Sequence, residues 1–443
     1  MAASAARAAA FDALLRVERR GVHSDDALHS RLLQPLTAAD RALATELVMG
    51  VLRWRARLDA VLAAASRQPL ATLDLEVLLA LRLAAYQLGF LDRVPQRAAV
   101  HESVELVKRA RKRSAAPFTN AVLRRVARDA ARLKPAGNPP KDAISMAAHW
   151  SHPVWLVERW VSAFGAEAAG RICEHNQFPP QAALWLSDAT LEDSLGAEGV
   201  KLAPGMLLRD ARRVTAGDIA HTRAFREGRL RLQDEASQLV AVVAGTGGSI
   251  LDCCAAPGGK TAILAGRNPE ALVVATDASA SRLRTLRRLA LRENVRIVAA
   301  DAVALPFAIQ FDRILADVPC SGTGTLARNP EIKWRLRPAD LTSFHRRQVE
   351  LLGAALNNLA PGGRLVYSTC SLEKEENEDV VEEVLATRSG FRLLACGAEL
   401  DRLLRGGELA WKDSASLTAG PFLRTLPGTH PCDGFFAALV ERA

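Results

Sequence analysis

The 443-residue sequence has no CxxC pair and no ladder of closely spaced cysteines. Its seven cysteines, at 173, 253, 254, 320, 370, 396 and 432, are scattered. That usage argues against a disulfide framework and a structural zinc site, and fits a reducing cytosol. No apolar run approaches the ~18 residues of a membrane span. No signal-like apolar region opens the chain, where Asp12 and Glu18 suit a first helix instead. The expectation is a cytoplasmic protein with no metal and no membrane partner. Aromatic residues make up only 5% of the chain and are sparse in its basic part, so stacking on single-stranded bases is not the expected mode there. Internal repeats and low-complexity tracts are also lacking.

The chain is long enough for two or three domains, and its 49% hydrophobic content can fill their cores. The charge is uneven. Residues 1–140 carry 23 Lys and Arg against 13 Asp and Glu, a balance of +10, while the remainder is at −1. A basic region beside a near-neutral one suggests a polyanion partner, nucleic acid first. Residues 1–134 read as helices, with Leu43, Leu47, Val48, Val51 and Leu52 at helical spacing. Lys108 to Arg113 form a dense basic cluster, and Arg124, Arg125 and Arg128 follow on another helix. Pro135 to Pro140 cannot continue a helix and are read as a linker. Residues 141–232 are expected to form a helical and small α+β module, with Trp150, Trp155 and Trp160 packing. From 233 to 443 strands and helices alternate, which predicts βαβ units on a parallel sheet. The expected strands are 249–252, 271–277, 295–299, 311–317 and 364–368. Helices are expected at 259–266, 279–293, 338–359 and 376–387, with a closing antiparallel pair at 422–426 and 434–440.

Three polar turns carry the chemistry. Leu251 to Thr261 leads from a strand through Gly258-Gly259 into a helix, which lets backbone approach a ligand. Asp277 ends the next strand, where an acid can hold a ribose hydroxyl pair, and Asp301 follows the third, suited to an adenine amino group. These are contacts for an adenosyl ligand. A phosphate loop is the competitor, but it needs glycine at position 254, which is Cys254, and Pro257 interrupts the amides. The other two turns, Asp317-Val318-Pro319-Cys320-Ser321-Gly322 and Ser368-Thr369-Cys370-Ser371, each set a cysteine beyond a strand end. A cofactor turn and two strand-end thiols on one sheet suggest covalent catalysis with a bound cofactor. Lys260, Lys333, Arg335 and Arg346 are candidates by residue type to ionise a thiol. Cys173, Cys253, Cys396 and Cys432 read as buried structural residues.

At these residues the chain resembles the Fmu/Sun family of RNA cytosine-C5 methyltransferases. The resemblance runs through Gln233 to Gln238, the turn 251–261, the segment 317–334 with Asn329-Pro330-Glu331-Ile332-Lys333-Trp334, the segment 361–371, and Asp433 to Phe436. It implies a multi-domain chain: an all-α NusB-like RNA-binding domain, a small α+β module, and a C-terminal α/β Rossmann-like domain of the class I methyltransferase type. It further implies S-adenosylmethionine as cofactor, held by Cys254, Ala255, Ala256, Pro257, Gly258, Gly259, Lys260, Asp277, Asp301 and Asp317. Cys370 inherits the role of nucleophile toward cytosine C6, and Cys320 that of assisting its release. The implied partner is 16S ribosomal RNA, free or within an assembling small subunit, acted on by a monomer, with no DNA partner. Transfer RNA as substrate, and a non-catalytic RNA-binding or assembly role, are the alternatives.

Overall fold

Apolar residues at 3.6-residue spacing give the first 179 residues helices and, among the described residues, no strand. The computed structural model describes residues 3–186, 189–289 and 292–443. Its first helices are α1 (Ala5–Arg20), α2 (Ser24–Leu28), α3 (Ala38–Ala65), α4 (Leu75–Phe90), α5 (Gln96–Arg109), α6 (Ala116–Arg128), α7 (Ala143–His149) and α8 (Val154–His175). Thr37 starts α3 by accepting the Asp40 N–H on its side chain, which satisfies one donor of the open first turn. Leu47, Val48, Val51 and Leu52 of α3 and Leu79 and Leu83 of α4 are buried together with Phe11 and Leu14 of α1.

A second body of structure follows. A three-stranded antiparallel sheet, ordered β1-β3-β2, comprises β1 (Ala183–Trp185), β2 (Lys201–Pro204) and β3 (Ala211–Ala216). It is accompanied by α9 (Ala189–Ala197) and α10 (Arg223–Arg226), and α11 (Glu235–Val243) leads into the large sheet. There the chain runs β4 (Ser249–Asp252), α12 (Gly259–Arg267), β5 (Leu272–Asp277), α13 (Ala280–Arg287), β6 (Val295–Ala299) and β7 (Phe311–Asp317). After the short α14 (Ile332–Arg335) come α15 (Pro338–Asn357), β8 (Leu359–Thr369), α16 (Glu378–Ala386), β9 (Phe391–Leu394), α17 (Cys396–Arg405), β10 (Thr418–Ala419), β11 (Phe422–Thr425) and β12 (Phe435–Arg442). The expected helix 279–293 already ends at Arg287, and residues 290 and 291 lie outside the described residues.

The large sheet is ordered β10-β11-β12-β8-β7-β4-β5-β6, with β9 also on β12. Strands β4 to β8 pair in parallel and β12 antiparallel to β8. Strand residues alternate between two cores. Ile250, Val273, Leu315, Val366 and Leu439 face the helices α11, α12 and α17, while Leu251, Val274, Ile314, Leu365 and Val440 face α15 and α16. Burial on both faces is why these strands read as nearly continuous apolar runs. The chain moves outward from β4 to β6 and returns to β7 on the other side of β4, so the strand order reverses there. Ligand sites form beyond the carboxyl ends of strands at such a point.

The chain divides into two compact units, Met1–Pro179 with Leu326–Arg335, and Pro180–Thr325 with Leu336–Ala443. Two sequence expectations change. The boundary falls after Pro179 rather than at 135–140, so 141–232 is not one module. Helices α7 and α8 belong with the first unit, where Trp150 packs on Trp54 with ring centroids 6.4 Å apart and the Ser151 hydroxyl accepts the Arg57 N–H. The motif around Asn329 to Trp334 also belongs to the helical unit rather than the sheet. There Glu331 accepts from the Ser24 N–H and hydroxyl, Lys333 Nζ donates to the Arg53 carbonyl, and Trp334 Nε1 donates to that of Leu52. Among the described residues no helix is long and apolar enough to cross a membrane.

Candidate active site

The cofactor turn is shaped by what β4 delivers. Asp252, its last residue, is fully buried; one carboxyl oxygen accepts from Thr261 Oγ1 at 2.7 Å and the other has no hydrogen-bond partner. Burial pushes its carboxyl up to about 7, and the charges of Asp317 and Asp277 push the same way. Cys254 is half-buried, with its thiol pushed upward by burial, while Ala255 and Ala256 are buried. The Ala255 N–H bonds to the Thr276 carbonyl, and the carbonyls of Ala256 and Pro257 accept from Arg282 and Arg231. Gly258 caps α12 at φ +107°, a conformation that strains any side chain. The turn is thus held from behind on several sides.

The acids sit where the strand order predicts. Asp277 is buried at the end of β5, accepting the Ser279 N–H at 2.8 Å, with Arg282 at 3.5 Å. Asp301 lies two residues past β6, half exposed, and pairs with Arg347 of α15 at 2.6 Å. Asp317 ends β7 beside Ser368 of β8; one of its oxygens accepts from the Ser368 hydroxyl at 2.8 Å and the other meets Lys260 Nζ at 2.7 Å. Lys260 also lies over the Phe435 ring. The turn, its buried unpartnered carboxyl oxygen and the acids on successive strand ends fit a nucleoside-bearing ligand: acceptors for hydroxyl and amino groups, with backbone open to close approach.

The two thiols meet. Cys320 Sγ and Cys370 Sγ lie 3.2 Å apart, both half-buried, although 50 residues separate them. The hydrogen bond to Cys370 holds the Cys320 proton on, raising its thiol well above the ordinary range; burial and the charges of Cys370, Glu376 and Asp317 add to this. The turns that carry them interlock through backbone. The Gly324 N–H donates to the Cys370 carbonyl at 2.9 Å, and the Gly434 N–H to the Gly324 carbonyl at 2.8 Å. A Cβ on Gly324 would lie 2.1 Å from the Gly434 oxygen, so only glycine fits.

Of the four cations singled out by residue type, Lys260 is engaged by Asp317 and Arg346 is exposed on α15. Lys333 is buried against the Arg53 carbonyl, and Arg335 donates to the carbonyls of Val17, Gly21 and Val22, so both serve the helical unit. Sequence reasoning missed Glu376, whose buried carboxyl accepts from groups on both cysteine turns. Its position in the run 373–378 resembles an ordinary helix start, and what distinguishes it is burial among four uncharged donors.

The helical unit carries its own basic features. Within the cluster 108–113, Lys108, Arg109 and Lys112 pair with Glu105, Asp12 and Asp74. Arg57, Arg125, Arg128 and Arg132, with Asp129 beside Arg132, line a groove of about 610 Å³.

Two family models match separate stretches of the chain. The family model described as 16S rRNA methyltransferase RsmB/F matches residues 241–441, and the NusB family model matches residues 4–128. The chain is 34% identical to the probable ribosomal RNA small subunit methyltransferase B of Bacillus subtilis (strain 168), covering 100% of each chain. It is 33% identical to ribosomal RNA small subunit methyltransferase B of Vibrio cholerae, covering 98% of this chain and 97% of the other. Among solved structures it resembles PH0851 with a TM-score of 0.79 at 22% identity, each chain being covered in full.

Proposed function

The chain belongs to the 16S rRNA methyltransferase RsmB/F family, and from that premise we propose that it methylates C5 of a cytosine in 16S ribosomal RNA through a covalent bond between Cys370 and cytosine C6. S-adenosylmethionine is the cofactor, and its sulfonium supplies an electrophilic methyl group. The Cys254–Lys260 turn with Asp277 and Asp301 would hold its nucleoside end, and Asp317 would lie toward the cytosine.

The observation that carries the reading is the thiol pair at 3.2 Å. Cytosine C5 is a poor nucleophile. Addition of the Cys370 thiolate at C6 makes C5 enamine-like, so that it would take the methyl carbon as that carbon's bond to sulfur breaks, the electron pair staying on the sulfur. The C5 proton is then lost to a base or water, and the C6–S bond breaks to restore the aromatic ring. Cys320, which keeps its proton because of its neighbours, is within reach of the departing Cys370 sulfur and returns a proton to it. Since a stacked base hides C6, the target is flipped or presented unpaired. The arginine-lined groove of the helical unit supports phosphate contact rather than base reading.

The test is to incubate wild type, Cys370→Ala and Cys320→Ala with unmodified small-subunit ribosomal RNA, or in parallel transfer RNA, and labelled S-adenosylmethionine, measure cofactor binding, then map the methyl group. The expectation is label at a cytosine C5 for wild type, none for Cys370→Ala, and a protein–RNA adduct that survives denaturation for Cys320→Ala. Full methylation by Cys370→Ala would falsify the mechanism. Label on transfer RNA alone would move the substrate, and absence of cofactor binding would favour a non-catalytic role.

A further inference from the structure

Two thiols on separate strand ends keep a 3.2 Å separation only if something fixes both turns. The Ser321 and Ser371 hydroxyls lie 3.1 Å apart and the Leu372 N–H donates to Thr323 Oγ1, and one side chain from outside both turns also holds the two. The carboxyl group of Glu376, fully buried just before α16, receives four hydrogen bonds, two on each oxygen. Oε1 accepts from the Ser321 N–H at 2.8 Å and from Gln348 Nε2 at 3.0 Å. Oε2 accepts from the Ser321 hydroxyl and from the Ser371 hydroxyl, the latter at 2.5 Å. Ser321 directly follows Cys320, and Ser371 directly follows Cys370. Gln348 extends the brace by donating from the same nitrogen to the carbonyl of Pro319, the residue before Cys320. The backbone carbonyl of Glu376 is itself held by the Tyr367 hydroxyl at 2.6 Å, and Asn377 accepts from the Thr369 hydroxyl at 2.5 Å and donates to the Ser371 carbonyl.

We propose that Glu376 is a positioning residue that sets the spacing of Cys320 and Cys370 by bridging Ser321 and Ser371. This rests on the reading of the thiols as nucleophile and release group. A carboxylate suits the task because it only accepts, and every group facing it donates. Glu376→Leu keeps the bulk but removes both acceptor oxygens. None of the four donors then has its partner, so the bridge between the two turns is lost. Displacement of a reacting group by about 1 Å costs up to ~10²-fold in rate.

Thiol pairing reports the spacing without RNA or methyl transfer. Diamide takes two electrons and two protons from the two thiols, leaving a Cys320–Cys370 disulfide and the reduced hydrazine. The rate is followed by non-reducing peptide mapping, with S-adenosylmethionine binding and thermal melting measured alongside. For Glu376→Leu we expect pairing slowed by about 10-fold or more and turnover reduced in kcat, with cofactor affinity within about twofold of wild type. Ser321→Ala and Ser371→Ala, each removing one strut, are expected to slow pairing by a few-fold. They decide the matter alone should Glu376→Leu fail to fold. Unchanged pairing rates in the variants that bind cofactor would overturn the inference. Slowed pairing in a protein that methylates no RNA would leave the positioning role standing and remove the catalytic reading.

Discussion

Replacing Gly324 by alanine tests how tightly the cysteine turns are locked. The added Cβ would lie 2.1 Å from the oxygen and 2.7 Å from the carbonyl carbon of Gly434, and 2.9 Å from the Cys370 oxygen. All three are backbone atoms, which cannot swing aside as a side chain can. Relief to ordinary contact needs a shift of about 1 Å in one of the two turns. Overpacking of this kind costs about 1–3 kcal/mol. The same shift weakens the Gly324–Cys370 and Gly434–Gly324 backbone hydrogen bonds, each contributing about 1 kcal/mol net. The expected total is about 3–5 kcal/mol, or a fall in melting temperature of roughly 6–20 °C in the sheet unit. Because the Cys370 carbonyl is one of the displaced atoms, methylation should fall by about 10-fold or more even at temperatures where the variant is folded. Calorimetry and single-turnover methyl transfer would be run together. A variant melting within about 2 °C of wild type with undiminished turnover would refute the packing argument.

Other expectations follow from single side chains. Asp252 titrates at about 7 in the folded chain against ~3.9 when unfolded, so the folded state holds a proton that the unfolded state has lost between those values, and stability falls as pH rises through that window. Asp252→Asn should therefore melt progressively higher relative to wild type from pH 4 to pH 7.5, by up to about 4 kcal/mol; a pH-independent difference would contradict the burial argument. Lys333, buried with its ammonium pushed well below the ordinary lysine value, should be replaceable by Met with the helical unit unchanged or stabilised toward acid pH, and marked destabilisation at pH 6 would show a charge that the fold needs. Arg128→Glu in the 610 Å³ groove should weaken binding of ribosomal RNA and lower the slope of log affinity against log salt by about one or more, while cofactor affinity stays the same; an unchanged slope would remove the groove from the RNA path.

Much of this is legible in the sequence. The strands at 249–252, 295–299 and 311–317 have the expected bounds because each is a short apolar run closed by a turn. Asp252, Asp277 and Asp317 end their strands as read. Other boundaries were not local properties. Helix 279–293 continues in its charge and leucine spacing beyond Arg287, but spacing alone does not say where packing stops. Residues 361–363, Pro-Gly-Gly, look like a turn, yet β8 begins at Leu359.

The site divides the same way. Two strand-end cysteines and a Gly-rich turn follow from chain-local rules, since a parallel sheet carries its loops of chemistry at one edge. That Cys320 and Cys370 stand 3.2 Å apart depends on β7 and β8 being neighbours in register, with Asp317 opposite Ser368. The grouping of Glu376 with Ser321, Ser371 and Gln348, and of residues 326–335 with the helical unit, also lay beyond the sequence. Residue spacing along one chain determined the elements, the turns and the kinds of reactive group. Which buried donors meet which acceptors, across separations of up to 318 residues, was decided only when the tertiary fold removed water and left most buried polar groups to find partners within the protein.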